Sequence, residues 1–143
     1  MEQKVHDFLV KNRLCVISII DKAGNPYSAT VFYAYQDDPF LFYFLSDIRT
    51  KKVEELVQNK TQRASLVIGF TEGEWKTFQA FGVTSMVEPG SFTEAEGTYY
   101  LKYPHAQSIA KDKNLALFAF TPLHWKYTDL NPDTWEIIYS KEK

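Results

Sequence analysis

Cysteine is almost missing from this chain of 143 residues: Cys15 stands alone. A single thiol excludes an intrachain disulfide and a zinc site built from cysteines, and its place in an apolar run reads as a buried structural thiol. Charge of one sign is also missing. Sixteen basic and 18 acidic residues leave a net charge of −2, so no basic field supports nucleic-acid binding. The apolar runs are all far too short to span a bilayer, and the opening residues 1–12 are amphipathic and charged rather than signal-like. A soluble, cytoplasmic protein is the expectation, with no membrane and no nucleic-acid partner. Glycine-rich phosphate loops before a helix are absent, which removes the P-loop and the dinucleotide fingerprint. The three histidines, His6, His105 and His124, have no ligand spacing with one another or with acids, so no metal site is expected. Ser18, Ser28 and Ser65 sit in apolar runs without a nucleophile-elbow pattern, which leaves hydrolase chemistry unsupported.

Aromatic residues, by contrast, are abundant. They make up 16% of the chain and fall in alternating runs, the pattern of strands with a large apolar face to cover. Val5, Phe8, Leu9 and Asn12 follow helical spacing and predict a short amphipathic helix lying on the rest as a lid. Residues 14–20 form a β-branched strand, and Asp21 to Asn25, with Gly24 for a positive φ, turn it into a second strand over 26–35. Asp37-Asp38-Pro39 leads to a third, aromatic strand over 40–45. Strands are expected again at 62–70 and 75–87, the latter with Gly82 in mid-strand, a sign of a bulge or of close backbone approach. Pro89-Gly90 closes that strand. Ser91 to Glu94 has capping-box spacing ahead of a helix over 92–101, with a second helical piece running to Lys111. Two strands, 115–121 and 124–129, are expected to meet near Pro122. A last strand over 134–140 follows the turn at Asn131-Pro132-Asp133. Six or more strands with a turn every ten or so residues predict a β-rich α+β fold, a small antiparallel barrel with short flanking helices, as one domain over 1–143.

The stretch from Ser46 to Asn59, S-D-I-R-T-K-K-V-E-E-L-V-Q-N, carries most of the chemistry. It leaves the third strand and opens a helix for which Thr50 is the natural N-cap. Arg49, Lys51 and Lys52 crowd the first turn, where the helix dipole already places about half a positive charge. Cations there suit an anion such as phosphate, with backbone N–H groups and a hydroxyl alongside. They equally suit a solvated basic turn neutralised by Asp47 and by Lys51–Glu55 at i,i+4. Around this turn Phe32, Tyr33 and the run Trp75 to Gln79 are positioned to line a flat apolar pocket, or simply to fill the core.

Several pieces together resemble the FMN-binding split barrel of the pyridoxamine 5′-phosphate oxidase-like superfamily, and its short bacterial members of unassigned activity in particular. They are S-A-T-V-F-Y-A-Y (28–35), F-Y-F-L-S-D-I-R-T-K-K-V-E-E-L (42–56), W-K-T-F-Q-A-F-G (75–82), Y-L-K-Y-P (100–104) and W-K-Y-T-D (125–129). The resemblance implies an FMN cofactor. Its phosphate would lie on Thr50, Lys51 and Lys52, its ring would be flanked by Leu45 and Ser46, and Thr30, Val31, Phe32 and Tyr33 would run beneath it. Thr77 falls where the oxidase has a flavin-contacting Gln. A homodimer with flavins at the interface is implied as well, with Thr128 near the second subunit's flavin. The oxidase's late Arg-x-His pair has no counterpart in Leu130 to Glu136, and Thr30 replaces a basic residue. The expected function is therefore an FMN-dependent oxidoreductase on an unidentified small molecule, not pyridoxal phosphate synthesis. Deazaflavin F420 or haem on the same barrel is a second reading, F420 ranking lower because its acidic tail wants more cations. A non-catalytic dimeric binding module is the third.

Overall fold

The computed structural model describes residues 1–58, 60–69, 71–88, 92–109 and 112–141, with the side chains of Phe92 and Ile109 left aside. Expectations placed on Asn59, Phe70, the Pro89-Gly90 turn, the Ser91 cap and the helical end at Lys111 lie outside the described residues. The chain runs α1 (Gln3–Lys11), β1 (Leu14–Ile20), β2 (Pro26–Gln36), β3 (Leu41–Asp47), α2 (Glu54–Val57), β4 (Gln62–Ile68), β5 (Lys76–Met86), α3 (Phe92–Lys102), β6 (Leu115–Asp129) and β7 (Glu136–Tyr139). Single 3₁₀ turns cover Lys51–Val53 and Glu72–Glu74, and a longer one covers Pro104–Ile109.

All strand pairs are antiparallel, in the order β3-β2-β1-β4-β5-β6-β7, and β3 also pairs with β6. That last pairing closes six strands into a barrel, with β7 added outside the closure. This is the β-rich α+β barrel expected from the alternation. Gly24 has φ +87°, and the Asp21 carboxylate accepts the N–H groups of Ala23 and Asn25, so the β1–β2 turn forms as read.

The two strands expected at 115–121 and 124–129 are one continuous strand, β6. Its first half pairs with β3 and its second with β7, while β5 runs along its other edge. Pro122 does not break it because a bulge falls there. Phe81 pairs with His124 and Gly82 with Pro122, leaving Leu123 as the extra residue. Gly82 is the other half of the same device. A Cβ on it would sit 2.0 Å from the Thr121 carbonyl oxygen.

The barrel interior is filled by Phe42, Phe44, Phe78, Phe118, Phe120, Tyr33 and Tyr127 together with the β-branched residues of β1 and β4. Each such ring contributes about 1.5–3 kcal/mol on leaving water. Helix α1 plugs one end, as expected of a lid: Val5, Phe8 and Leu9 are buried in that core. A second cluster lies outside the barrel, where Tyr99, Tyr100 and Tyr103 of α3 and the residue after it pack on Ala34, Tyr43 and Leu117. This outer cluster, by setting α3 away from the ends of β2 and β3, leaves a cleft between them.

Candidate functional site

The cleft has a volume of about 740 Å³, within the range of small-molecule and cofactor pockets. Its floor comes from β2 and β3 and its far wall from α3 and the 3₁₀ turn at 104–109. Alternation along β2 decides which residues reach it. Thr30 and Phe32 point outward into the cleft and Val31 borders it, whereas Tyr33 points into the barrel core. The Tyr33 hydroxyl donates to the Leu9 carbonyl at 2.7 Å, and burial pushes its pKa far up. Tyr33 is therefore a core residue, which corrects its expected place under a ligand. Leu45 and Ser46 line the cleft where β3 ends.

The basic turn divides into three cations with three different fates. Arg49 is committed to Asp47. Its Nε and Nη2 donate to the carboxylate at 2.9 and 2.6 Å, and its backbone N–H adds a third bond at 2.8 Å. Those hydrogen bonds hold the Asp47 carboxyl down at about 2. Arg49 thus neutralises an acid that borders the cleft instead of facing a ligand, and its candidacy is corrected accordingly. Lys51 is exposed. It pairs with Glu54 at 3.0 Å and lies 5.9 Å from the centre of the Tyr27 ring, and it is not part of the cleft lining. The expected Lys51–Glu55 pair does not form, because residues 51–53 wind as a 3₁₀ turn, in which i and i+3 eclipse. Glu55 pairs with Lys60 instead, at 3.0 Å.

Lys52 is the cation that faces the cleft. Its Nζ donates to Ser46 Oγ at 2.6 Å and to Thr50 Oγ1 at 3.2 Å, and the two hydroxyls are 3.3 Å apart. Burial pulls its pKa down. Among the described residues it makes no ion pair. A half-buried ammonium held by hydroxyls alone is an incomplete electrostatic unit.

The helix argument needs correction too. Thr50 precedes the turn, but its hydroxyl makes no capping bond and donates to the Asp47 carbonyl at 2.9 Å. The α-helical part is only Glu54–Val57, too short to build the dipole of a full helix. Any anion preference here rests on Lys52 and the hydroxyls.

Thr77 and Thr128 do not reach the cleft. They are cross-strand partners on β5 and β6, and neither is among its lining residues. The expected pocket wall from Trp75 to Gln79 is not there either. Trp75 sits in a left-handed conformation at φ 58°, largely exposed, before β5 begins, and Gln79 borders a separate groove on the outer barrel surface.

Sequence reading missed the far wall: Tyr99, Tyr103, His105, Ala106 and Ser108, together with Asp47. Tyr99 and Tyr103 stand four apart on one helix face, directly before a Pro-His pair. That combination is the available signal. The remaining reactive groups fall out of the site. Burial pushes the Cys15 thiol up to about 12, an inert core thiol as read. Ser18 and Ser28 bond each other across β1 and β2 at 2.6 Å. His124 stacks on Phe81, with centroids 5.0 Å apart. No group of three or more His, Cys, Asp or Glu side chains suited to a metal occurs among the described residues. Nor is any helix there long and apolar enough to cross a membrane.

A six-stranded antiparallel barrel with a plugging helix and a cleft beside its third strand is a split-barrel fold. The sequence matches no protein-family model and no curated protein, so solved structures carry the comparison. A haem-binding protein from Mycobacterium smegmatis superposes with a TM-score of 0.73 at 9% identity, over 94% of this chain and 55% of that one. The chain thus spans about half the length of that structure. A Clostridium acetobutylicum protein related to general stress protein 26, of the pyridoxinephosphate oxidase family, gives 0.66 at 12% identity, covering 96% of this chain and 92% of its own. A FAD-binding protein from Mesorhizobium loti gives 0.63 at 17% identity, over 89% and 94%.

Proposed function

We propose that this chain is a flavoprotein that holds FMN in the cleft between β2, β3 and α3 and acts as an oxidoreductase on a small molecule. The observation that carries this reading is Lys52, whose desolvated ammonium and its two hydroxyl partners fit a phosphate at the cleft's edge. In it, Lys52, Ser46 and Thr50 bind the phosphate. Lys51 adds a solvated charge nearby, and Arg49 keeps Asp47 from repelling the anion. Thr30, Phe32 and Leu45 offer outward backbone and apolar surface for a flat ring. Bound flavin would supply the electron or hydride chemistry, while these residues position it and exclude water. The Mesorhizobium neighbour, which is FAD-binding, and the Clostridium neighbour, of the pyridoxinephosphate oxidase family, support a flavin as the ligand of this fold.

The same reading includes a homodimer. Thr77 and Thr128 serve a flavin only if a second copy brings them to the cleft. The outer barrel surface around the bulge exposes Phe81, Leu123 and Tyr139, large apolar side chains of the kind a subunit interface covers. A specific observation also favours haem as a second reading: His105 borders the cleft, where its imidazole would be the side chain to hold a haem iron, and the Mycobacterium neighbour is haem-binding.

The absorption spectrum of the purified protein, before and after addition of FMN or haemin, separates these readings, with mass in solution measured alongside. FMN uptake should weaken by about 1.5–3 kcal/mol in Lys52→Ala, as for a charge-assisted contact, and change little in Lys51→Ala. Protein that stays colourless with excess FMN sinks the flavin reading. Equal losses in the two variants would mean that the phosphate is misplaced.

A further inference from the structure

Phe32 supplies the cleft floor with a flat ring, yet that ring is half exposed. Its one aromatic neighbour among the described residues is Tyr103, with ring centres 5.8 Å apart at an interplanar angle of 67°. A side chain standing out from a strand has two common χ1 settings, and strand geometry alone does not choose between them. Arg13, between α1 and β1, supplies the missing constraint. Its guanidinium carbon is 5.7 Å from the Phe32 ring centre and 5.1 Å from that of Tyr103, so one cation stands over both rings. Arg13 makes no ion pair among the described residues, which leaves the rings as its partners. The backbone beneath it is fixed. The Arg13 carbonyl accepts the Tyr33 N–H at 2.9 Å and the Tyr103 hydroxyl at 3.1 Å. Tyr33 directly follows Phe32, so Arg13 is bonded to the strand that carries the ring it covers. Burial raises the Tyr103 pKa to about 12 against the pull of the Arg13 charge. Lys102 completes the joint by donating to the Asn12 carbonyl at 2.5 Å, and burial, then the Arg13 charge, pulls its pKa down to about 8.

We infer that Arg13, which lies outside the cleft lining, is a positioning residue for the cleft: it clamps the Phe32 ring against Tyr103 and so presets the flat surface on which the flavin ring rests. The inference rests on the flavin reading for the identity of the ligand, whereas the clamp itself does not. A ring already held loses less freedom when a ligand settles on it. The gain therefore belongs to the ring part of the ligand and not to its phosphate.

Nuclear Overhauser contacts between the Phe32 and Tyr103 rings, measured by NMR on the full chain without cofactor, test the clamp. They should be present in the native protein and in Arg13→Lys, which keeps a cation for the rings, and fade in Arg13→Gln. Binding tests the purpose, with riboflavin beside FMN as the probe that lacks a phosphate. Arg13→Gln should weaken both by the same factor, about two- to fivefold, and Arg13→Lys should restore both. Lys52→Ala should weaken FMN alone. Arg13 is exposed, so the native melting temperature should be kept. Should Arg13→Gln fail to fold, Arg13→Met, which keeps the apolar stem without the charge, takes its place. The inference is overturned if the ring contacts in Arg13→Gln equal those of the native protein, or if that variant binds riboflavin as tightly as the native protein does. It is overturned as well if Arg13→Gln weakens FMN and spares riboflavin, which would give Arg13 to the phosphate. Native protein that takes up neither flavin ends the flavin reading, and the ring contacts then decide the clamp by themselves.

Discussion

Two groups of aromatic rings occupy this molecule, and they do different work. Inside the barrel the rings are mostly phenylalanines, such as the stacked Phe44–Phe118 pair and the Phe42 ring that touches Tyr33, Phe78 and Phe120. They have no polar atoms to satisfy and serve packing. Under α3 the rings are tyrosines, and their hydroxyls tie backbones together. The Tyr103 hydroxyl is aimed at the Tyr33 and Arg13 carbonyls, where the chain passes from α1 into β1 and alongside β2. One cluster makes the barrel stable, and the other holds the cleft's wall at a set distance from its floor.

The sharpest way to break that contrast is to cut into each cluster. Phe42→Ala should cost about 3–5 kcal/mol in chemical denaturation, the loss expected for a large ring removed from a packed core. Tyr103→Phe keeps the ring and removes only the hydroxyl, so about 1 kcal/mol of stability should go. Its larger signature should be weakened FMN binding, since the wall loses its anchor. Equal stability losses from the two changes would erase the distinction.

A third expectation concerns pH. The folded-state pKa of Lys102, about 8, lies below its ordinary value of 10.5. Between those values the unfolded chain holds the proton and the folded chain does not. This group therefore makes stability rise as pH increases from about 8 to 10.5. Lys102→Met should remove that component, read as the difference between the two proteins' melting temperatures across this range. The smallest effect belongs to Arg49→Gln. The Asp47 carboxyl should return from about 2 toward 3.8, followed by NMR titration, with little change in melting temperature at neutral pH, because the pair is solvated. FMN affinity should fall slightly as the freed Asp47 charge faces the cleft.

Most of the barrel was legible because strands with one face in the core alternate, and β1, β4 and β5 do so clearly. Two puzzles in the sequence, a mid-strand Gly82 and a strand-breaking Pro122, proved to be opposite sides of one bulge. No local pattern links residues so far apart in the chain. The candidate site was legible only as a neighbourhood. Arg49, Lys51 and Lys52 are equivalent as letters, and what separates them is where Asp47, Glu54 and the Ser46 hydroxyl stand in space. The tyrosine wall was missed because Tyr99 and Tyr103 at i,i+4 read the same whether a helix face meets a core or borders a cleft.

β6 has one more consequence, for how the chain reaches this shape. It is the penultimate strand, and it is the partner of both β3 and β5. During synthesis those two strands wait with one edge bare, and β3 carries five aromatic or leucine side chains next to its open hydrogen-bonding groups. Contacts this distant in sequence form slowly. A half-made chain is thus a sticky open sheet rather than a small barrel, and its protection against aggregation arrives only when Leu115 to Asp129 have left the ribosome.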